Sequence, residues 1–292
     1  MATFGQWVEG ARLRTLPIAI SSVIGGTAAA VSIGQLRIAT AVLALVVALA
    51  LVVGVNFAND YSDGIRGSDG PDRVGPLRLV GSGAARPKQV RAAAFGCFGV
   101  AGLAGLAVVV LTGQWWLLVL GIACVLAAWF YTGGSHPYGY AGLGEIFVFV
   151  FFGLVAVGGT TYVVAGRVDA AGWVTAVVLG LLACGVLVAN NLRDIDGDRV
   201  SGKRTLATRL GHTGTRALYL TLVGLACLGV VAVAALTTWW ALLGLAMVIF
   251  LSGPVRAMVT GASGMVLVRA LRDTGFADLA CSIGLLIGAL LG

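Results

Sequence analysis

The sequence predicts an all-α integral membrane protein of nine transmembrane helices with a cytoplasmic N-terminus, and three observations carry that prediction. Hydrophobic residues make up 59% of the 292 and charged residues only 11%, whereas a soluble domain needs about 25% charge to cover its surface. The apolar residues fall in repeated blocks of roughly 18 to 25, the length that crosses a hydrocarbon core about 30 Å thick at about 1.5 Å per residue. The basic residues crowd into alternate connections, a topology signal before it is a ligand signal. The net charge of +7 therefore does not point to nucleic acid.

Taken in order, helices are expected at about 16–34, 38–58, 90–111, 115–132, 142–165, 171–191, 216–236, 238–255 and 274–291. In the first, Arg12 and Arg14 lead into Pro17 and an apolar stretch reaching Gly34, with no short apolar segment and cleavage site, so it reads as a retained span. The cytoplasmic loops are expected at 59–89, 133–141, 192–215 and 256–273 of a single transmembrane domain, 1–292. With the N-terminus inside, seventeen of the nineteen Lys and Arg residues are cytoplasmic, and only Arg37 and Arg167 lie opposite. That asymmetry places the C-terminus outside. Cys97, Cys124, Cys184, Cys227 and Cys281 are far apart within apolar blocks and read as small buried hydrophobes. Small residues in every span permit a homo-oligomer but locate no dimer face.

Seven of the twelve acidic residues fall in two places. Asp60, Asp63, Asp69 and Asp72 follow the second expected span, and Asp194, Asp196 and Asp198 follow the sixth. NFANDYSDGIRG (Asn56–Gly67) and NNLRDIDGDRVSG (Asn190–Gly202) both open with Asn at the end of an apolar run and continue into spaced Asp, by a weak internal duplication or by chance. A helix continued through Asn56, Asp60 and Asp63 puts them on one face, as it does Asn190, Asp194 and Asp198, with Asn59 and Asn191 beside them. Carboxylates gathered near a bilayer repel one another unless cations join them. Mg2+ suits such a row, because it usually takes one or two carboxylates together with phosphate oxygens and water. The competing reading makes these residues turn formers beside Gly64, Gly67, Gly70 and Gly75, and it stands on equal terms for Asp69, Asp72 and Asp196. Pairing with nearby arginines accounts for charge balance but not for the asparagines.

Arg78 in GPLRLVGSG, Arg193, and Lys203 with Arg204 suit neutralisation of phosphate oxygens. Arg204, Arg209, Arg86 and Lys88 also read as topology or lipid-headgroup residues. No Walker or dinucleotide glycine pattern is present. A third polar island, YTGGSHPYGYAGLGE (Tyr131–Glu145), sets aromatic hydroxyls before a lone carboxylate, Glu145, where the fifth span begins. Such a group is a functional candidate; belt tyrosines and a helix-capping Glu are the ordinary alternative. His136 has only His212 for company, which leaves no histidine zinc site.

NDYSDGIRG, GPLRLVGSG, YTGGSHPYGYAGLGE and NNLRDIDGDRVSGKRTLATRLG together resemble the intramembrane aromatic prenyltransferases, and among them the dihydroxynaphthoate polyprenyltransferases of menaquinone biosynthesis; the resemblance covers essentially the whole chain. It implies nine transmembrane helices around a central cavity in the bacterial cell membrane, with the active site toward the cytoplasm. It implies polyprenyl diphosphate and 1,4-dihydroxy-2-naphthoate as substrates, lipid as surroundings, and Mg2+ bridging the diphosphate. Carried over residue by residue, Asn56, Asp60 and Asp63 with Asn190, Asp194 and Asp198 resemble the groups that hold Mg2+ or diphosphate. Lys203, Arg78 and Arg193 resemble diphosphate contacts, and Tyr131 and Glu145 would lie toward the prenyl or aromatic pocket. Ser135-His136 departs from a Pro-Arg type pair before Pro137, which bears on acceptor entry. The Asp motifs alone leave two rivals open, another aromatic acceptor or a secondary transporter, although a transporter's polar groups belong nearer mid-membrane.

Overall fold

The computed structural model describes residues 2–67, 77–134, 137–200 and 202–292, and among these it is helical with no strand. Ten helices follow in chain order: α1 (Phe4–Gly10), α2 (Leu16–Ser32), α3 (Ile38–Arg66), α4 (Pro87–Thr112), α5 (Leu117–Phe130), α6 (Gly144–Ala165), α7 (Ala170–Val200), α8 (Leu206–Leu236), α9 (Trp239–Val259) and α10 (Met265–Leu291). Among the described residues, eight stretches are long and apolar enough to cross a membrane: Phe4–Ser32, which joins α1 to α2, and α3, α4, α6, α7, α8, α9 and α10. The fourth expected span is the 14-residue α5, which at 1.5 Å per residue reaches about 21 Å, short of the ~30 Å core.

The expected loops are shorter than the polar sequence implied, because the helices continue through it. α3 runs on to Arg66 and α7 to Val200, while α8 starts at Leu206 and α10 at Met265. Polar residues outside a bilayer keep a helix as long as nothing breaks it; α3 ends where Gly67 takes φ +69°, the left-handed conformation that glycine adopts without a Cβ penalty. Asp69, Asp72, Ser135 and His136 lie outside the described residues.

The chain divides into two compact units, Met1–Leu16 with Leu43–Tyr140, and Pro17–Val42 with Ala141–Gly292. In the first, Ala11, Phe57, Ala58, Leu79, Ala85, Val90, Ala94 and Phe98 form a buried cluster, and Trp7 packs edge-on against Phe57 at 5.6 Å. Thr3 opens α1 with a reciprocal capping box to Gln6, which satisfies two otherwise orphaned amides.

In the second unit α7 is the inner helix, with 72% of its most apolar window buried. It packs Leu179, Leu182, Leu192 and Ile195 against Tyr219 and Val223 of α8, Met247 and Leu251 of α9, and Cys281 and Leu285 of α10. α6 and α7 meet through glycines: a Cβ on Gly153 would lie 2.6 Å from the Ala176 carbonyl oxygen and 2.9 Å from Gly180 Cα. Small residues let helix backbones approach where no hydrophobic force joins them. Inside this unit Tyr219 and Thr274 share a 2.6 Å hydrogen bond and Ser21 donates to the backbone carbonyl of Asp278 at 2.9 Å, while both carboxylate oxygens of the buried Asp278 have no hydrogen-bond partner among the described residues. Cys184 and Cys281 are buried, as expected, whereas Cys97, Cys124 and Cys227 are half-buried, and all five are free thiols.

Candidate diphosphate and metal site

The first row stands where α3 continues past its apolar run. Asn56 is 6% exposed and donates through Nδ2 to the Ala11 carbonyl and to Thr15 Oγ1, both at 3.0 Å. Asn59 Oδ1 accepts from the Thr132 hydroxyl at 2.6 Å. One residue on, Asp60 is fully buried and accepts two backbone N–H groups, Leu79 on Oδ2 at 2.7 Å and Val80 on Oδ1 at 3.0 Å. A turn later, Asp63 Oδ2 meets Arg78 Nη2 at 3.0 Å, with both side chains buried. Arg66, at the helix end, donates to the Thr132 and Gly134 carbonyls. Hydrogen bonds to charged groups contribute about 1.5–3 kcal/mol each, so these contacts fix the segment after Leu77 firmly onto α3.

The second row is on the last turns of α7. Arg193 embraces its neighbour Asp194, Nε to Oδ1 and Nη2 to Oδ2, both at 2.6 Å, and Nη2 also reaches Asn190 Oδ1 at 3.0 Å. Asn190 Nδ2 lies 3.5 Å from Asp194 Oδ2. Asn190, Arg193 and Asp194 therefore form one network. Asn191, turned away from it, donates to Glu145 Oε1 at 2.9 Å. Asp196 is exposed, with Arg199 at 3.8 Å and His212 at 3.6 Å, which suits a solvated surface group. Past the helix end, Lys203 N–H donates to the Asp198 carbonyl at 2.9 Å, so the chain turns back there and Thr205 caps α8.

Glu145 begins α6 and is buried; the Cys184 thiol contacts its carbonyl at 3.1 Å. A cavity of about 240 Å³ opens beside it, walled by Ile146, Phe149, Leu181, Cys184 and Leu218. In the other unit Tyr131 ends α5 and packs edge-on against Tyr138, 5.5 Å between ring centres. Tyr138 donates to the Ala127 carbonyl at 2.6 Å; burial, and secondarily Tyr131, pushes its phenol above the ordinary value. The first unit thus gathers Asn56, Asp60, Asp63 and Arg78, and the second gathers Asn190, Arg193 and Asp194, with Glu145 joined through Asn191. Sequence reasoning did not find Glu9, whose Oε1 accepts from Leu77 N–H at 3.0 Å; a lone acid on a short helix carries no spacing signal.

Among the described residues, no three His, Cys, Asp or Glu side chains converge as a ready-made metal cage. The acids stand instead beside cations, Asp63 with Arg78 and Asp194 with Arg193. Hard oxygen donors in ones and twos fit Mg2+ that completes its shell with phosphate oxygens and water.

Fold and site together define a multi-span α-helical membrane protein in which acids on two long helices, Asp63 and Asp194, are each paired with an arginine. The chain belongs to the UbiA prenyltransferase family, whose sequence pattern matches residues 19–264. A 1,4-dihydroxy-2-naphthoate octaprenyltransferase of Mycobacterium tuberculosis is 52% identical over 283 residues, which cover 96% of this chain and 94% of that one. The Escherichia coli protein of the same name is 39% identical over 241 residues, 80% of this chain and 78% of the relative. Among solved structures, a UbiA homolog from Aeropyrum pernix superposes with a TM-score of 0.69 at 17% identity, covering 94% of this chain and 97% of that one. One from Archaeoglobus fulgidus, bound to GPP and Mg2+, gives 0.58 at 13% identity, covering 94% and 99%.

Proposed function

We propose that this chain transfers a polyprenyl group from polyprenyl diphosphate to 1,4-dihydroxy-2-naphthoate, releasing diphosphate and CO2 and forming demethylmenaquinone. Two relatives of that name at 52% and 50% identity over nearly the whole chain support the reaction. The observation that carries the site is the pairing of Asp63 with Arg78 and of Asp194 with Arg193. Each pair offers both signs of charge, and a magnesium diphosphate brings the complement of both.

In this reading Asp63, Asn190, Asp194 and Asp198 would hold Mg2+, as the Mg2+ in a solved relative supports, while Arg78, Arg193 and Lys203 bind phosphate oxygens. Bound Mg2+ supplies charge neutralisation that makes the diphosphate a better leaving group. Arg193 has a planar fork for two phosphate oxygens, and Lys203 is a mobile point charge at the turn after α7. As these residues draw off the diphosphate, allylic cation character grows at C1 of the chain and the electron-rich ring attacks it. The attacked ring carbon carries the carboxylate, and the C–CO2 bond breaks as aromaticity returns. Tyr131 and Glu145 face the prenyl or aromatic pocket, and apolar helices exclude the water that would trap the cation. The chain acts as one transmembrane domain of nine spans around a central cavity, with the N-terminus and the active site toward the cytoplasm, as the distribution of basic residues supports.

Purified protein supplied with a long-chain polyprenyl diphosphate and a panel of aromatic acids, with and without Mg2+, tests this. Mg2+-dependent prenylation of the naphthoate with release of CO2 is expected. Turnover of 4-hydroxybenzoate in its place would overturn the acceptor, and undiminished turnover by Asp194→Ala would overturn the site.

A further inference from the structure

Four consecutive residues of the segment after α3 are tied down, each to an acidic side chain. Leu77 N–H donates to Glu9 Oε1 at 3.0 Å, Arg78 Nη2 to Asp63 at 3.0 Å, Leu79 N–H to Asp60 Oδ2 at 2.7 Å and Val80 N–H to Asp60 Oδ1 at 3.0 Å. Only the bond at Arg78 comes from a side chain; the other three hold backbone. The segment is also closed on itself: Ser82 N–H donates to the Arg78 carbonyl and Ala85 N–H to the Leu79 carbonyl, both at 2.9 Å. Leu79 is fully buried, and a Cβ on Gly10 would lie 2.7 Å from its Cδ1.

The row on α3 therefore divides in its work. Asn56 and Asp60 face protein backbone: Asn56 ties down the turn from Ala11 to Thr15, and Asp60 ties down Leu79 and Val80. Within that turn Arg12 is the one described non-glycine residue with positive φ, 54°, a conformation that costs about 1 kcal/mol or more and persists only where neighbours impose it. Asp63 alone of the row's acids meets the charged end of the loop. Asp60 has no solvent exposure, and each of its oxygens already accepts a bond.

The geometry points to Asp60 and Glu9 as positioning residues that set the Arg78 loop, with Asp60 acting through that backbone and not as a ligand of Mg2+. This inference rests on the reading that Arg78 takes diphosphate. Fixing a residue's backbone costs about 1–2 kcal/mol of conformational entropy. A loop fixed before the substrate arrives does not draw that ordering cost from diphosphate binding. Carboxylates suit the task because their bonds to N–H are charge-assisted and stronger than those of a neutral acceptor. The N-terminal helix becomes, through Glu9, a working part of the diphosphate grip.

The test compares Glu9→Ala, Glu9→Gln and Asp60→Asn in the full-length protein, reading KM for both substrates and the half-saturating Mg2+ concentration. Glu9→Ala is expected to raise KM for polyprenyl diphosphate roughly fivefold, the size of one modest hydrogen bond, with KM for the naphthoate and the Mg2+ requirement unmoved. Glu9→Gln keeps an acceptor oxygen for Leu77, though a neutral one, and recovers most of the wild-type KM. Asp60→Asn keeps one acceptor and moves KM the same way as Glu9→Ala, again without a change in Mg2+ requirement. A shifted Mg2+ half-saturation in Asp60→Asn would overturn the assignment, as would a Glu9→Gln variant no better than Glu9→Ala. If Asp60→Asn does not fold, the Glu9 pair decides. Affinity for inorganic pyrophosphate with Mg2+, measured on the same variants, reads the clamp without turnover. Failure of prenyl transfer in the wild type then overturns the function, while the clamp is judged by pyrophosphate.

Discussion

Arg193 grips Asp194, the next residue in the chain, with two nitrogens 2.6 Å from its two oxygens, although Asp194 keeps 31% of its side chain exposed and Arg193 only 10%. The carboxylate thus stays reachable while the guanidinium is held. A planar fork matches two oxygens of a phosphate as well as those of a carboxylate. Arg193→Lys, which keeps the charge and removes the fork, is expected to raise KM for polyprenyl diphosphate about tenfold, ~1.4 kcal/mol, with the naphthoate KM unchanged. Steady-state kinetics on each substrate in turn checks it.

The pair Asp63–Arg78 differs in being buried on both sides, at 7% and 8% exposure. Removing one partner of a buried pair leaves an uncompensated charge and costs about 3–5 kcal/mol. Asp63→Ala should therefore lower the thermal unfolding midpoint as well as turnover, whereas Asp194→Ala should lower turnover with the midpoint nearly unmoved. Thermal denaturation in detergent separates the two; equal midpoints would show that Asp63–Arg78 is not the buried pair described.

Chelation of divalent cations is expected to abolish pyrophosphate binding and turnover together, with recovery on added Mg2+. Because the acids already have protein cations beside them, the fold itself should survive chelation. An unchanged helical signal by circular dichroism with EDTA present checks that, and loss of helix would contradict it.

Where α6 meets α7, Gly153→Val would force a side chain into a gap that a single Cβ already overfills, 2.6 Å from the Ala176 carbonyl. Overpacking of this kind costs about 1–3 kcal/mol. A lowered unfolding midpoint is expected, with the change at Gly159, where an added Cβ meets nothing within 4 Å, much milder.

Tyr138 links burial to pH. Its phenol, raised by burial first and by Tyr131 second, stays protonated in the fold at a pH where an unfolded chain's tyrosine has ionised. The stability it contributes is present below the ordinary phenol range of about 10 and declines as pH climbs past it, since the unfolded state then gives up the proton more readily. Tyr138→Phe loses the bond to Ala127, about 1 kcal/mol, and should flatten the alkaline decline seen by thermal melts.

The helical membrane fold was legible because hydropathy and block length are local properties, and the two Asn/Asp rows because four-residue spacing survives in the helix ends that carry them. The expected spans stopped at residues 58 and 191, since hydropathy marks where lipid ends, while α3 and α7 continue to Arg66 and Val200. What spacing alone could not supply is the direction of each side chain. Asn56 and Asp60 share a helical face with Asp63 in sequence, yet they turn to the Ala11 carbonyl and the Leu79 amide. Those partners lie 45 and 19 residues away, and no local pattern announces them. The Glu145–Asn191 bond is likewise invisible to motif reading, because each residue belongs to a different polar block.

The middle of α6, Phe149–Val157, is wound as a π-helix, and Ser22 of α2 donates to the Phe152 carbonyl there at 2.8 Å. A wide turn of this kind holds one residue more than the regular winding needs. Deleting a single residue within it would let the helix revert to ordinary winding with the segments on either side close to their original phase. Glu145 would keep facing Asn191, and the contact put at risk is the one Ser22 makes with the widened turn. The swollen turn thus stores one residue of slack between the carboxylate at the helix mouth and the span behind it.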